Sequence, residues 1–321
     1  MSATLTGSHT GTLRLGTRRS LLATTQSGHV ADLIRERLGR EVDLVEITTE
    51  GDTSGAPLAT MGGTGVFVSA LRDALLRGEV DVAVHSLKDL PTGSAEGITL
   101  AATPTREDPR DVVVARDGLT LGELPVGSRV GTGSPRRAAQ LAALGLGVEI
   151  VDIRGNVDTR IGKVTSGAYD AVVLARAGLA RLGRLDEATE VLDPLQMLPA
   201  PGQGALAIEC RSDDTDLVAE LARLDDHATR AAVTAERAVL ATLEAGCSAP
   251  LGALAEVVEG EDGDELWIRA IALSPDGGLS VRMSTTGDVE DAAGTGNRLA
   301  SEMLADGAAD LMEAPVRKQQ P

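Results

Sequence analysis

Residues 80–91 read VDVAVHSLKDLP. Val80, Val82, Ala83 and Val84 form a short apolar run, the pattern of a strand buried on both faces, which occurs in parallel sheets covered by helices. The run then changes to His85, Ser86, Lys88 and Asp89 and is stopped by Pro91. Ligands of open α/β sheets bind at the carboxyl ends of strands. A hydroxyl, an ammonium and a carboxylate in that position therefore mark a candidate reaction centre. An Asp before a turn is more often a cap, and neighbouring Lys and Asp are more often solvated. The stretch thus decides the fold class before it decides a function.

Upstream, residues 13–15 predict a strand, followed by Gly16, Thr17, Arg18, Arg19 and Ser20. Ser20 is suited to N-cap a helix reaching Leu38, with Gly39 as its stop. Strand, glycine, cations and helix N-terminus in that order suit an anion. Residues 42–49 predict a second strand and residues 66–77 a helix whose apolar face holds Phe67, Leu71, Ala74 and Leu75. The alternation predicts a mostly parallel, doubly wound sheet.

Downstream, TPTREDPR (103–110) is polar, carries two prolines and reads as a crossing between domains. Strands are expected at 111–115, 148–153 and 170–175. Ser134 and Pro135 open a helix as N-cap and first residue. Arg136 and Arg137 then fall in its first turn, where cations oppose the helix dipole. Either a bound anion removes the conflict or the two side chains lean into solvent. Arg160 and Lys163 lie three apart on the next helix and share a face. LPAPGQG (198–204) is a second crossing, leading into a strand through Cys210. Leaving one domain, building another and returning is the plan of the hinged solute-binding proteins. The last third holds a helix over 227–245, a hairpin about SPDGG (274–278) and a helix over 288–304, a small α+β domain. The expected division is 12–105 with 205–224, then 106–204, then 225–315.

The chain of 321 residues carries a net charge of -18, which argues against a nucleic-acid partner because phosphate binding needs a basic face. Yet strand ends, or the turns after them, hold Arg18, Arg19, Lys88, Arg136, Arg137, Arg154 and Arg176. That placement in an acidic chain points to a cleft for a small polyanion, and Arg suits bidentate carboxylate recognition. Cys210 and Cys247 are too few for a disulfide framework, which points to a reducing, cytoplasmic setting. No charged and apolar signal pattern opens the chain, and no apolar run approaches a membrane span. His9, His29, His85 and His227 lack metal-ligand spacing with the cysteines, so no metal is expected. His85 reads as a hydrogen-bonded strand-end residue. No GxGxxG, Walker or GxSxG element is present.

LRLGTRRS, DVAVHSLKDLPT, TREDPRDVVV, GTGSPRRAAQL, DIRGNVDTRIGK, LPAPGQGALAIECR and AERAVLATLEAGCSAPLG occur in that order. With these motifs the chain resembles the porphobilinogen deaminase (hydroxymethylbilane synthase) family from about Thr12 to Leu304. The resemblance implies an α/β fold of two hinged, doubly wound domains resembling type II periplasmic binding proteins, plus a small C-terminal α+β domain. It implies a cytoplasmic, monomeric transferase that condenses four porphobilinogen molecules head to tail with loss of ammonia and hydrolyses the product to hydroxymethylbilane. It further implies a dipyrromethane primer on a thioether, matching Cys247, and a catalytic carboxylate, matching Asp89. The cofactor-binding positions match Lys88, Ser20, Arg136, Arg137 and Arg160; the substrate-binding positions match Arg18, Arg154, Arg181 and Phe67. Thr64, Gly133, Pro135 and Arg19 depart from the family pattern. A second reading, a solute-binding or sensor protein on the same two-domain plan, gives no use for Cys247. From its neighbourhood alone, a lone thiol after a helix, Cys247 reads first as a small buried hydrophobe, and the resemblance reverses that reading.

Overall fold

The computed structural model describes residues 11–47, 65–245, 249–261 and 263–313, with side chains from 68 onward in the second of these. The predicted reach of the second strand to Thr49, the positions Thr64 and Cys247, the Phe67 side chain and the C-terminal tail lie outside the described residues. The chain divides into two compact units, residues 1–105 with 206–227, and residues 106–205 with 228–321.

The first unit runs β1 (Leu13–Thr17), α1 (Leu21–Leu38), β2 (Val42–Glu46), α2 (Gly65–Leu76), β3 (Val82–Ser86) and β4 (Ile98–Ala102). After an excursion through the second unit, the chain returns as β10 (Leu206–Arg211) and α6 (Thr215–Leu221). The sheet order is β2-β1-β3-β10-β4; β1 is parallel to β2 and β3, and β10 is antiparallel to β3 and β4. Apolar residues cover both faces. Val30, Ala31 and Ile34 of α1 and Leu217 and Leu221 of α6 pack on one, and Leu71, Ala74 and Leu75 of α2 on the other. A sheet covered on both sides needs strands apolar at successive positions, as Val82, Ala83 and Val84 are. α1 starts where the sequence predicts, with Ser20 Oγ accepting from Ala23 N, and ends at Gly39 in the left-handed region at φ +67.

The second unit repeats the arrangement. It runs β5 (Asp111–Ala115), β6 (Arg129–Gly131), α3 (Pro135–Ala143), β7 (Glu149–Val151), α4 (Val157–Thr165), β8 (Ala171–Ala175), α5 (Arg176–Arg181) and β9 (Glu190–Val191). The order β7-β6-β8-β5-β9 matches the first sheet position for position, with β5 the antiparallel member. Each sheet thus receives one reversed strand, β5 or β10, directly after a crossing. β4 ends at the edge where β1 and β3 end, and β5 starts at the edge where β6 and β8 end. The crossing is therefore continuous with the ligand-binding edge of each sheet.

The same unit contains α7 (His227–Thr242), the antiparallel meander β11 (Leu251–Glu259), β12 (Asp264–Leu273) and β13 (Ser280–Asp288), then α8 (Ala292–Ala305) and α9 (Ala308–Glu313). Helices α7 and α8 cover one sheet face through Ala235, Val239, Leu299 and Met303. Part of the other face, Leu254, Ile271 and Leu273, packs on Ala139 of α3 and on Leu198. Strand β11, LGALAEVVE, is not among the strands expected from the sequence; buried alanines and a glycine build it. They suit a strand here because Gly252 lies against Leu198, where a Cβ would come within 2.9 Å.

Two features fix the crossings within this unit. Gly204 sits at φ +88, and a Cβ there would lie 2.3 Å from Glu107 O, so only glycine fits. Glu236 of α7 is fully buried and accepts from Arg106 Nη1 and Nη2 (2.7 and 3.0 Å), Gly202 N (2.6 Å) and Ala255 N (2.9 Å). One carboxylate thus ties both crossings to α7 and β11. Removing one partner of a buried ion pair costs about 3–5 kcal/mol. Glu236→Gln is expected to destabilise the second unit by that amount, read as a lowered midpoint in denaturant. A loss below about 1 kcal/mol would show that the four hydrogen bonds do not need the charge.

Candidate active site

In the first unit, β1 and β3 are parallel neighbours, with Leu15 opposite Val82 and Gly16 opposite Ala83. Their C-termini therefore open at one edge. β1 delivers Arg18 and the helix-capping Ser20. β3 extends two residues further than predicted, because Ser86 pairs with Leu206 of β10. Lys88 and Asp89 consequently sit in a 3-10 turn, Leu87–Asp89, pinned by the buried Leu87 and Leu90. The Asp89 carboxylate is half-buried and has no hydrogen bond or ion pair among the described residues. Arg19, by contrast, is exposed and 3.3 Å from Glu46.

Beneath this edge lies a buried polar group that the sequence reading missed. Glu209 of β10 takes two hydrogen bonds from Arg72 of α2, at 2.9 and 2.6 Å, and lies 3.3 Å from His85 Nε2. Burial alone would raise the Glu209 carboxyl, but the hydrogen bonds from Arg72 and His85 outweigh it and hold the pKa at about 2. His85 is a buried structural partner, consistent with its reading as a strand-end residue. A charged residue in the apolar strand ALAIECR was the available signal.

In the second unit, Ser134 Oγ caps α3 by accepting from Arg137 N, and Pro135 takes the first helical position. Arg136 and Arg137 neither lean into solvent nor wait for an external anion alone, the two outcomes the sequence left open. Both are buried and share Asp111, with Arg136 Nη2 at 2.8 Å from Oδ2 and Arg137 Nη2 at 2.7 Å from Oδ1. Asp111 reads from the sequence only as a strand start; a carboxylate opening an otherwise apolar strand was the overlooked signal. Burial acts to raise the Asp111 carboxyl, but the two guanidinium charges prevail and hold it far below the usual range. Arg136 also donates to Leu198 O and Arg137 to Val173 O.

The other predicted arginines are placed less uniformly. Asn156 caps α4 through Thr159 N, and Arg160 Nε donates to Gly155 O at 2.8 Å. Burial, and then the neighbouring charge of Arg137, lowers the Arg160 pKa. Arg181 donates to Gly204 O at 2.6 Å, and burial lowers its pKa as well. Arg154 is exposed, 3.3 Å from Asp152. Lys163 lies over the Tyr169 ring at 5.4 Å, with Arg129 over the same ring at 5.1 Å. Arg176 is matched by Glu107 and Asp108 at 3.2 and 3.4 Å.

These groups leave positive charge in excess. Arg136 and Arg137 have one carboxylate between them, and their Nε atoms are buried without a hydrogen-bond partner among the described residues. The hydrogen bonds described for the Arg160 and Arg181 side chains go to backbone carbonyls. Desolvated guanidiniums are costly without an anion, so the set fits a ligand bearing several carboxylates. Cys210, meanwhile, is buried, and burial with the nearby Asp214 pushes its thiol pKa up to about 11. It stays a protonated, unreactive thiol.

The family description "Porphobilinogen deaminase, dipyromethane cofactor binding domain" matches residues 13–219, and "Porphobilinogen deaminase, C-terminal domain" matches residues 230–305. The chain belongs to the porphobilinogen deaminase family. Porphobilinogen deaminase 1 of Streptomyces coelicolor is 62% identical over 309 residues, covering 94% of this chain and 97% of its own. Porphobilinogen deaminase of Mycobacterium bovis is 61% identical over 305 residues, covering 94% and 98%. Among solved structures, the methionine-binding protein MetQ overlaps 66% of this chain and 89% of its own at TM-score 0.43 and 12% identity. At that overlap the fold rests on the strand orders above. The range matched by the cofactor-binding description, residues 13–219, includes the strands of both five-stranded sheets. No helix among the described residues is long and apolar enough to cross a membrane, and among them no His, Cys, Asp and Glu group could hold a metal ion.

The Glu209 pair makes a signed prediction. Its folded pKa of about 2 lies below the 4.5 of a free glutamate side chain. Its contribution to stability is therefore complete above pH 4.5 and is lost as pH falls from there towards 2. The melting temperature of Glu209→Gln should fall furthest below that of the native protein near neutral pH, with the gap closing through pH 4. A gap independent of pH would remove the ion pair as its cause.

Proposed function

We propose that the chain condenses four porphobilinogen molecules head to tail, releasing ammonia at each step, and hydrolyses the product to hydroxymethylbilane. The observation that carries this reading is the buried excess of guanidinium in a chain that matches the family over residues 13–219 and 230–305. Porphobilinogen carries an acetate and a propionate, so each ring added brings two more carboxylates to be desolvated and held.

The Cys247 thiol is the attachment point, and the dipyrromethane, when bound there through a thioether, supplies the pyrrole end from which the chain grows. Arg136, Arg137, Arg160, Lys88 and Ser20 hold its carboxylates and orient it. Arg18, Arg154 and Arg181 receive the side-chain carboxylates of incoming porphobilinogen, and Phe67 lines the pocket. Asp89 faces the aminomethyl carbon of the substrate. As ammonia leaves, positive charge spreads over the pyrrole, and a fixed carboxylate stabilises it where water would have to reorganise. Asp89 also positions the pyrrole N–H and stabilises the protonated ring after attack. The working division is three domains, 12–105 with 205–224, 106–204 and 225–315, with the first two hinged about the crossings and the third carrying the primer. The protein acts as a cytoplasmic monomer.

Intact mass tests the attachment. The native protein should exceed its sequence mass by one dipyrromethane, Cys247→Ser should not, and Cys210→Ala should carry the full addition. A native protein at sequence mass sinks the reading. Asp89→Asn keeps shape and removes charge; turnover should drop at least about hundredfold with the primer still attached. Near-native turnover would take Asp89 out of the chemistry.

A further inference from the structure

We propose that Asp111 is a positioning residue for the carboxylate-binding arginines, with Gln203 as its support. The proposal rests on the functional reading above and adds to it a residue that never touches the ligand. Asp111 is the first residue of β5, lies opposite Ala175 at the end of β8, and is fully buried. Its carboxylate is saturated from three sides. Arg136 donates to Oδ2, while Arg137 and Gln203 Nε2 both donate to Oδ1, Gln203 at 2.8 Å. Gln203 also donates to Pro109 O at 2.6 Å, so its amide is itself fixed.

Residues 136 and 137 are adjacent in α3, and successive helical side chains diverge by about 100°. Left alone, two long arginines so placed would point apart and sample many rotamers. A single carboxylate can take both only if their guanidiniums converge on it. Leu198 O and Val173 O then fix one further nitrogen of each. What remains is a converged pair at the start of α3 with two cations to one anion. A counter-ion serving stability alone would be best matched one to one; this one leaves a positive charge over while removing the freedom of its bearers. An arriving carboxylate meets guanidiniums that need no further ordering. Both anchors come from the crossings: Asp111 directly follows the first, and Gln203 and Leu198 lie in the second. Each of the two arginines keeps its Nε without a hydrogen-bond partner among the described residues.

The test uses the full-length protein, with Asp111→Asn and Gln203→Leu compared with the native form. Intact mass gives the primer-loaded fraction, and kcat and KM for porphobilinogen are measured separately and scaled to it. For Asp111→Asn, the loaded fraction should fall to less than about half and KM should rise about tenfold, with kcat of loaded enzyme within about threefold. Gln203→Leu keeps both arginine pairs and should shift KM the same way by about threefold; it decides alone if Asp111→Asn does not fold. Native loading and native KM in the folded variants, at any melting temperature, would overturn the proposal. Lack of primer or turnover in the native protein would instead overturn the underlying functional reading, so the two failures are distinct.

Discussion

One carboxylate set against two guanidiniums, sealed from solvent, is the constraint on which the strand-end face of the second unit depends. Each charge would be costly to bury singly. Asp111 makes burial of Arg136 and Arg137 tolerable, and it does so incompletely, leaving net positive charge at a helix start. Arg160 and Arg181, desolvated and bonded to backbone carbonyls, add to that field. A chain of net charge -18 has thus concentrated cations where strands end. Affinity for small acids with several carboxylates would then follow local geometry and not global charge.

The topology explains why those positions were available. Both five-stranded sheets insert a reversed strand straight after a crossing. The crossing must then run along the edge where the parallel strands finish, which is where α/β sheets bind ligands. Residues of the crossings become supports for the site: Asp111 and Gln203 hold the arginine pair, and Glu236 gathers Arg106 and Gly202. Gly204, at φ +88 against Glu107, allows the two segments to lie in contact.

The first unit follows the same rule with different residues. Asp89 sits on a short turn over apolar anchors, while Glu209, paired with Arg72 and 3.3 Å from His85, lies in the sheet below. The strand-end turn carries a carboxylate without a partner among the described residues, and the buried layer carries one paired with an arginine. The cysteines divide the same way. Cys210, deep in β10, is held protonated by burial, which leaves Cys247 as the proposed attachment point.

The sequence by itself determined the fold class, the helix caps at Ser20 and Ser134, the two crossings and the strand-end cations. These are local properties: apolar run length, cap chemistry and turn residues act over a few neighbours. It also marked Lys88 and Asp89 as a candidate centre, because ligands of open α/β sheets bind at the carboxyl ends of strands. Tertiary structure alone decided which charges meet. Asp111 lies 25 residues before Arg136 in the chain and 2.8 Å from it in space, and Glu209 lies 137 residues from Arg72. No period or propensity encodes such pairs, since they arise only when a reversed strand is laid into a sheet and its register is set. For the same reason β11 stayed hidden: its alanines and glycine make a strand only because α7 and Leu198 lie close against them.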